Sequence, residues 1–125
     1  MTDQRKPQST GDDASDKRFA LRLRKFIDVV IEDPLASMLI RGAVADISPT
    51  GMRIIVDQYL PVGTKYTITM KRNPFLRLRG QVRWIRAFQG DTFQVGVLIV
   101  EASEDDHKRL VNFLELEHQR LSGHA

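Results

Sequence analysis

Leu76-Arg77-Leu78-Arg79-Gly80-Gln81-Val82-Arg83-Trp84 alternates without a break, with Leu76, Leu78, Gly80, Val82 and Trp84 on one side and Arg77, Arg79, Gln81 and Arg83 on the other. Successive side chains of a strand point to opposite faces, so a period of two marks a strand with one face buried and one in water. This reading puts Trp84 in the core and the three arginines outside. The same period recurs on either side of the stretch. Ile27, Val29 and Ile31 share a face of a segment ending near Asp33-Pro34, and Ile40 and Val44 point inward from a second, running from about Met38 to Ala45. Gly51 opens a third with Met52, Ile54 and Val56; Pro61-Val62-Gly63 turns into a fourth with Tyr66, Ile68 and Met70. After Gln89-Gly90-Asp91 comes a sixth, with Phe93, Val95, Val97 and Ile99 inward.

Six short strands with no helical pattern between them predict a closed antiparallel sheet or a sandwich. The period then changes. Ser103 followed by Asp106 makes a helix cap, Glu104 and Asp105 suit the positive helix N-terminus, and apolar residues recur at Leu110, Val111, Phe113, Leu114 and Leu116. One amphipathic helix of about five turns is expected here, ending before Gly123, with its apolar face against the sheet.

At 125 residues, 42% hydrophobic and 28% charged, the chain has the composition of one soluble globular domain. Residues 1–16 are rich in Ser, Thr, Asp, Gly and Pro and too poor in apolar side chains to offset the entropy of ordering. They are expected to form a disordered tail. No segment has the roughly 18 apolar residues of a membrane span, and Met1 to Lys17 has no apolar stretch of a secretory signal, so no membrane insertion and a cytoplasmic location are expected. Charge is uneven. Residues 17–102 hold fourteen Lys or Arg against seven Asp or Glu, a balance suited to an anionic partner.

Features of catalysis are missing. There is no cysteine, and no glycine-rich phosphate loop opens a helix. His107 and His118, eleven residues apart on the expected helix, stand about 16 Å apart along its axis and cannot share a metal ion. The expectation is a binding protein, not an enzyme, with no metal.

Two short motifs suggest what is bound: Arg18-Phe19-Ala20-Leu21-Arg22, and Asp46-Ile47-Ser48-Pro49-Thr50-Gly51. Together they resemble the ligand-binding signature of PilZ domains. The resemblance runs from Lys17 to Leu121 and takes in Gly80-x-Val82-x-Trp84, Val95-Gly96-Val97 and the closing helix, in the family's order. It implies a six-stranded antiparallel β-barrel with a C-terminal α-helix, divided into a ligand-binding arm (17–25), a barrel (26–100) and the helix (103–121). It also implies that cyclic di-GMP binds where arm and barrel meet, through Arg18, Arg22, Asp46, Ser48 and Gly51. Lys17 and Arg24, which flank the arginine pair, and Arg77 and Arg79 of the basic stripe are secondary candidates.

The chemistry supports the assignment independently for the arginines. A guanidinium bridges phosphate oxygens, pairs bidentately with guanine O6 and N7, and stacks on a purine. Asp46 and Ser48 offer short polar side chains that either meet a guanine edge or stabilise the turn. Gly51 permits a positive φ or a close backbone approach. On this reading the arm folds across the barrel when ligand arrives, and an unidentified protein effector reads the new surface. Two alternatives stand beside it: a PilZ-fold adaptor that binds no nucleotide, and a basic barrel for single-stranded nucleic acid. The second is disfavoured because Trp84 and Phe93 read as core, leaving few aromatics for base stacking.

Overall fold

The computed structural model describes residues 26–33, 35, 38–71 and 75–122. The tail and the arm expected at 1–16 and 17–25 lie outside these. The described residues form β1 (Ile27–Asp33), β2 (Met38–Ile47), β3 (Gly51–Val56), β4 (Lys65–Met70), β5 (Leu76–Ala87), β6 (Phe93–Ala102) and α1 (Glu104–Ser122). Every pairing is antiparallel, and the strands close in the order β1-β2-β3-β6-β5-β4, with β4 returning to β1. The sheet is therefore a barrel, not a sandwich, and closure leaves no strand edge exposed.

The alternating residues of the sequence fill the barrel. Val29, Ile31, Ile40, Val44, Ile54, Val56, Ile68, Met70, Leu76, Leu78, Val82 and Val95 are all buried. The long connection between β3 and β4 is tied down by Gly63 N–H donating to the Val82 carbonyl (2.8 Å) and Val82 N–H donating to the Thr64 carbonyl (3.0 Å). Tyr66, which follows, is buried, and its phenol pKa is raised by that burial and secondarily by the charge of Asp33.

The helix starts as its sequence requires. The Asp106 N–H donates to Ser103 Oγ (3.0 Å), Ser103 Oγ donates to the Asp106 carboxylate (2.9 Å), and three acidic residues occupy the first turn. Leu110 and Leu114 are fully buried within the barrel's own core cluster, and Phe113 packs against it. Leu116 departs from the expected apolar face and is exposed. At 3.6 residues per turn it lies roughly 120° around the axis from Leu110, off the buried seam. Leu121 returns to that seam yet is also exposed, so the last part of the helix carries its apolar stripe beyond the core.

A candidate ligand site on the outer barrel wall

Two β-bulges build the site. Between Val44 and Asp46 the register of β2 against β3 shifts, from Val44 opposite Ile54 to Asp46 opposite Arg53. The extra residue, Ala45, changes the phase of the strand, so Ile47 regains the core at fully buried depth while Asp46 turns to the outer face. Strict alternation from Val44 would have aimed Asp46 into the barrel. The strand continues two residues past its expected end at Ala45, to Ile47.

The second bulge corrects the reading of Trp84. Val82 pairs with Val97, but Trp84 pairs with Gly96, so Arg83 is the extra residue on β5. Arg83 and Trp84 are consequently two successive outward side chains, and Ile85 takes the inward position. Trp84 is 36% exposed, not part of the core.

The two bulges bring four residues into one row across adjacent strands: Asp46 on β2, Arg53 on β3, Gly96 on β6 and Trp84 on β5. Asp46 is only 4% exposed, and its Oδ2 lies 3.8 Å from the Arg53 guanidinium, which compensates a charge that is costly to bury alone. The Trp84 indole lies over Gly96 so closely that a β-carbon there would fall 2.1 Å from Nε1. The Arg86 guanidinium sits 4.6 Å from the indole centroid, a cation–π distance.

At the end of this row the Ser48 to Gly51 turn is internally bonded. Ser48 N–H donates to the Gly51 carbonyl (2.8 Å), and Ser48 Oγ accepts from the backbone N–H groups of Gly51 (3.2 Å) and Thr50 (3.3 Å). Ser48 thus holds the turn from a nearly buried position. Of the two expectations for Gly51, the close approach is the one observed. Its φ is not positive, but a β-carbon would come within 2.7 Å of the Val97 carbonyl oxygen.

Between these features lies an open concavity of about 240 Å³. Ser48, Thr50 and Arg53 border it along with Arg83 and Trp84, while Gly51, Gly96 and Val97 belong to its lining. Of the residues picked from sequence, the structure brings Asp46, Ser48 and Gly51 to one place, although Asp46 is covered and it is its ion-pair partner Arg53 that borders the concavity. Arg77 and Arg79 are absent from the lining. They lie toward the start of β5, where Arg77 pairs with Glu32 (3.4 Å) and Arg79 faces Glu101 (4.0 Å). Arg18, Arg22, Lys17 and Arg24 lie outside the described residues. Sequence reasoning missed Arg53, Thr50 and Trp84 as bordering residues, and of the basic stripe Arg77, Arg79 and Arg83 it selected the first two where only Arg83 borders the concavity. The three-residue spacing of inward Val82 and Ile85 was the signal that could have exposed Trp84.

Among the described residues, no group of three or more potential ligands could hold a metal ion, and no helix is long and apolar enough to cross a membrane.

The described residues form a small closed barrel with a C-terminal helix packed into its core and a polar concavity on its outer wall. The chain belongs to the PilZ domain family, which it matches over residues 16–116. Its fold is similar to that of the Bacillus subtilis inhibitor of motility MotI (DgrA), with a TM-score of 0.66 at 16% identity over 79% of this chain and 49% of that one. Escherichia coli YcgR in complex with c-di-GMP gives a TM-score of 0.63 at 17% identity, covering 82% of this chain and 46% of that one. The chain thus spans about half the length of these two proteins. The separate PilZ domain of YcgR from Escherichia coli with c-di-GMP is covered to 98% by 82% of this chain, with a TM-score of 0.55 at 14% identity. No curated protein sequence matches the chain significantly.

Proposed function

We propose that the protein is a cyclic di-GMP receptor that works by binding, and that the arm carrying Arg18 and Arg22 closes over ligand held at the concavity. The observation that carries this reading is the row Asp46, Arg53, Gly96 and Trp84 beside the Ser48 turn. It offers a guanidinium backed by the buried Asp46 carboxylate, and a partly exposed indole seated on a glycine floor. A guanine with its phosphodiester calls for this chemistry: hydrogen bonds to its polar edges, a stacking surface and positive charge.

The reach of the arm is consistent with it. β1 begins at Ile27, opposite Val44, which lies two residues before Asp46 on the neighbouring strand. At about 3.4 Å per extended residue, Arg22 can reach some 17 Å and Arg18 some 30 Å from that point. In this reading the two arginines clamp phosphate and guanine acceptors, Lys17 and Arg24 add weaker phosphate contacts, Ser48 meets a guanine edge, and Asp46 acts on the ligand by holding Arg53 at the concavity. Gly51 keeps the turn close to β6. Ordering of the arm then presents a new surface to a protein effector. Arg77 and Arg79, each beside a carboxylate and away from the concavity, make little direct contribution.

Calorimetric titration with cyclic di-GMP tests the proposal. Saturable binding at micromolar ligand is expected, lost by at least tenfold in the Arg18→Ala, Arg22→Ala double variant. Absence of heat at tens of micromolar would refute it and leave the nucleotide-free adaptor. The exposed Trp84 beside Arg53 and Arg83 removes the earlier argument against single-stranded nucleic acid, which required that Trp84 be core. A labelled oligonucleotide is therefore titrated in parallel. Binding to it that survives the double variant would favour that alternative.

A further inference from the structure

Four arginines project from β5, and three of them have partners within the barrel wall. Arg77 pairs with Glu32, Arg79 faces Glu101 across the ladder, and Arg86 lies over the Trp84 ring. Arg83 is exposed and makes no ion pair, hydrogen bond or ring contact among the described residues. It is also the extra residue of the β5 bulge and borders the concavity from the side opposite β3 in the strand order.

We infer that Arg83 is a ligand-contacting residue, the barrel's own binding group for a phosphodiester oxygen of a nucleotide held in the concavity. The inference rests on the cyclic di-GMP reading and adds to it a third arginine, one that belongs to the rigid wall.

The physical case begins with the bulge. A regular strand would send only one of Arg83 and Trp84 outward; the extra residue sends both, so a cation and an aromatic ring stand side by side on one rim. Anionic heterocycles need that combination, charge for the phosphate and a π surface for the base. The rim is supported on rigid elements. Val82, immediately before Arg83, is buried, and Trp84, immediately after it, is seated on Gly96. A guanidinium held at its root by packed neighbours loses less conformational freedom on binding than one without such support. Arg53 cannot fill the same role as freely, because its charge already compensates the buried Asp46.

The size of the concavity points the same way. About 240 Å³ lies below the roughly 300–1,000 Å³ of pockets that enclose a drug-sized ligand. The concavity on its own therefore holds part of a cyclic dinucleotide, one base with its phosphodiester.

The test is calorimetric titration of cyclic di-GMP into the wild type and into Arg83→Gln, Arg83→Lys, Arg77→Gln and the Arg18→Ala, Arg22→Ala variant, with melting temperature and circular dichroism recorded for each. Arg83→Gln is expected to lose about 10- to 100-fold in affinity with its melting temperature unchanged. Arg83→Lys keeps the charge without the fork and is expected to fall between it and wild type. Arg77→Gln is expected to bind like wild type. An Arg83→Gln affinity within threefold of wild type, while the arm variant loses binding, would overturn the inference and leave the receptor reading intact. Equal losses in Arg83→Gln and Arg77→Gln would also overturn it, since the effect would then be general surface charge. No binding by the wild type would remove both.

Discussion

Gly96 of β6 is the seat of the Trp84 indole: a β-carbon on it would fall 2.1 Å from both Nε1 and Cε2 of the ring. Glycine is required here by space, and the ring has no room to yield inward because Val95 and Val97 on either side are core residues. Gly96→Ala is expected to lift the indole off the wall and cost about 1–3 kcal/mol of stability, as overpacking does. Urea unfolding measures the loss. Gly96→Ala combined with Trp84→Ala should recover most of it, which a defect unrelated to the ring would not do.

The Arg53 guanidinium offsets the charge of a carboxylate that is nearly covered. Arg53→Leu is expected to destabilise the fold by about 1 kcal/mol, a modest figure because the arginine itself is partly in water. The same change on an Asp46→Asn background should cost less, since an amide needs no cation. A double-mutant cycle in denaturant reads the difference.

Ser48 and Gly51 support the same turn by different means, and their substitutions should differ in size. Ser48→Ala removes an oxygen that accepts from two backbone N–H groups and is expected to cost about 1 kcal/mol. Gly51→Ala drives a methyl group against the Val97 carbonyl, which belongs to the β3–β6 ladder, and should cost more, about 1–3 kcal/mol. Equal losses in thermal unfolding would mean that the approach at Gly51 relaxes freely.

Tyr66 gives the barrel an alkaline weakness. Burial, then the nearby Asp33 charge, raises the phenol above its ordinary value of 10.0. The unfolded chain therefore releases this proton at lower pH than the folded one. The tyrosine costs nothing below pH 10.0, and stability falls as pH rises from there toward the folded value. Tyr66→Phe should flatten the decline above pH 10 in a series of unfolding curves.

Strand positions and the helix start were legible because each follows from a local rule: alternation for the strands, and Ser103 with Asp106 for the cap. Barrel closure came only with the family resemblance, since alternation serves a sandwich equally well. The site was half legible. Ser48 and Gly51 stand in a motif that reads as a turn, and it is one. Trp84 was misread because a bulge leaves composition untouched and adds one residue of phase. Both bulges left a trace all the same. Val44 and Ile47 are inward and three residues apart, as are Val82 and Ile85, a spacing that a regular strand cannot place on one face.

Trp84 is the only tryptophan in the chain. The concavity therefore carries the protein's one strong intrinsic fluorophore on its rim, and the indole emission reports on this place alone. A purine stacked on the ring would quench that emission, and any segment that excluded water from it would move it to shorter wavelength. Occupancy of the wall and closure over it are thus separately visible in the unlabelled protein.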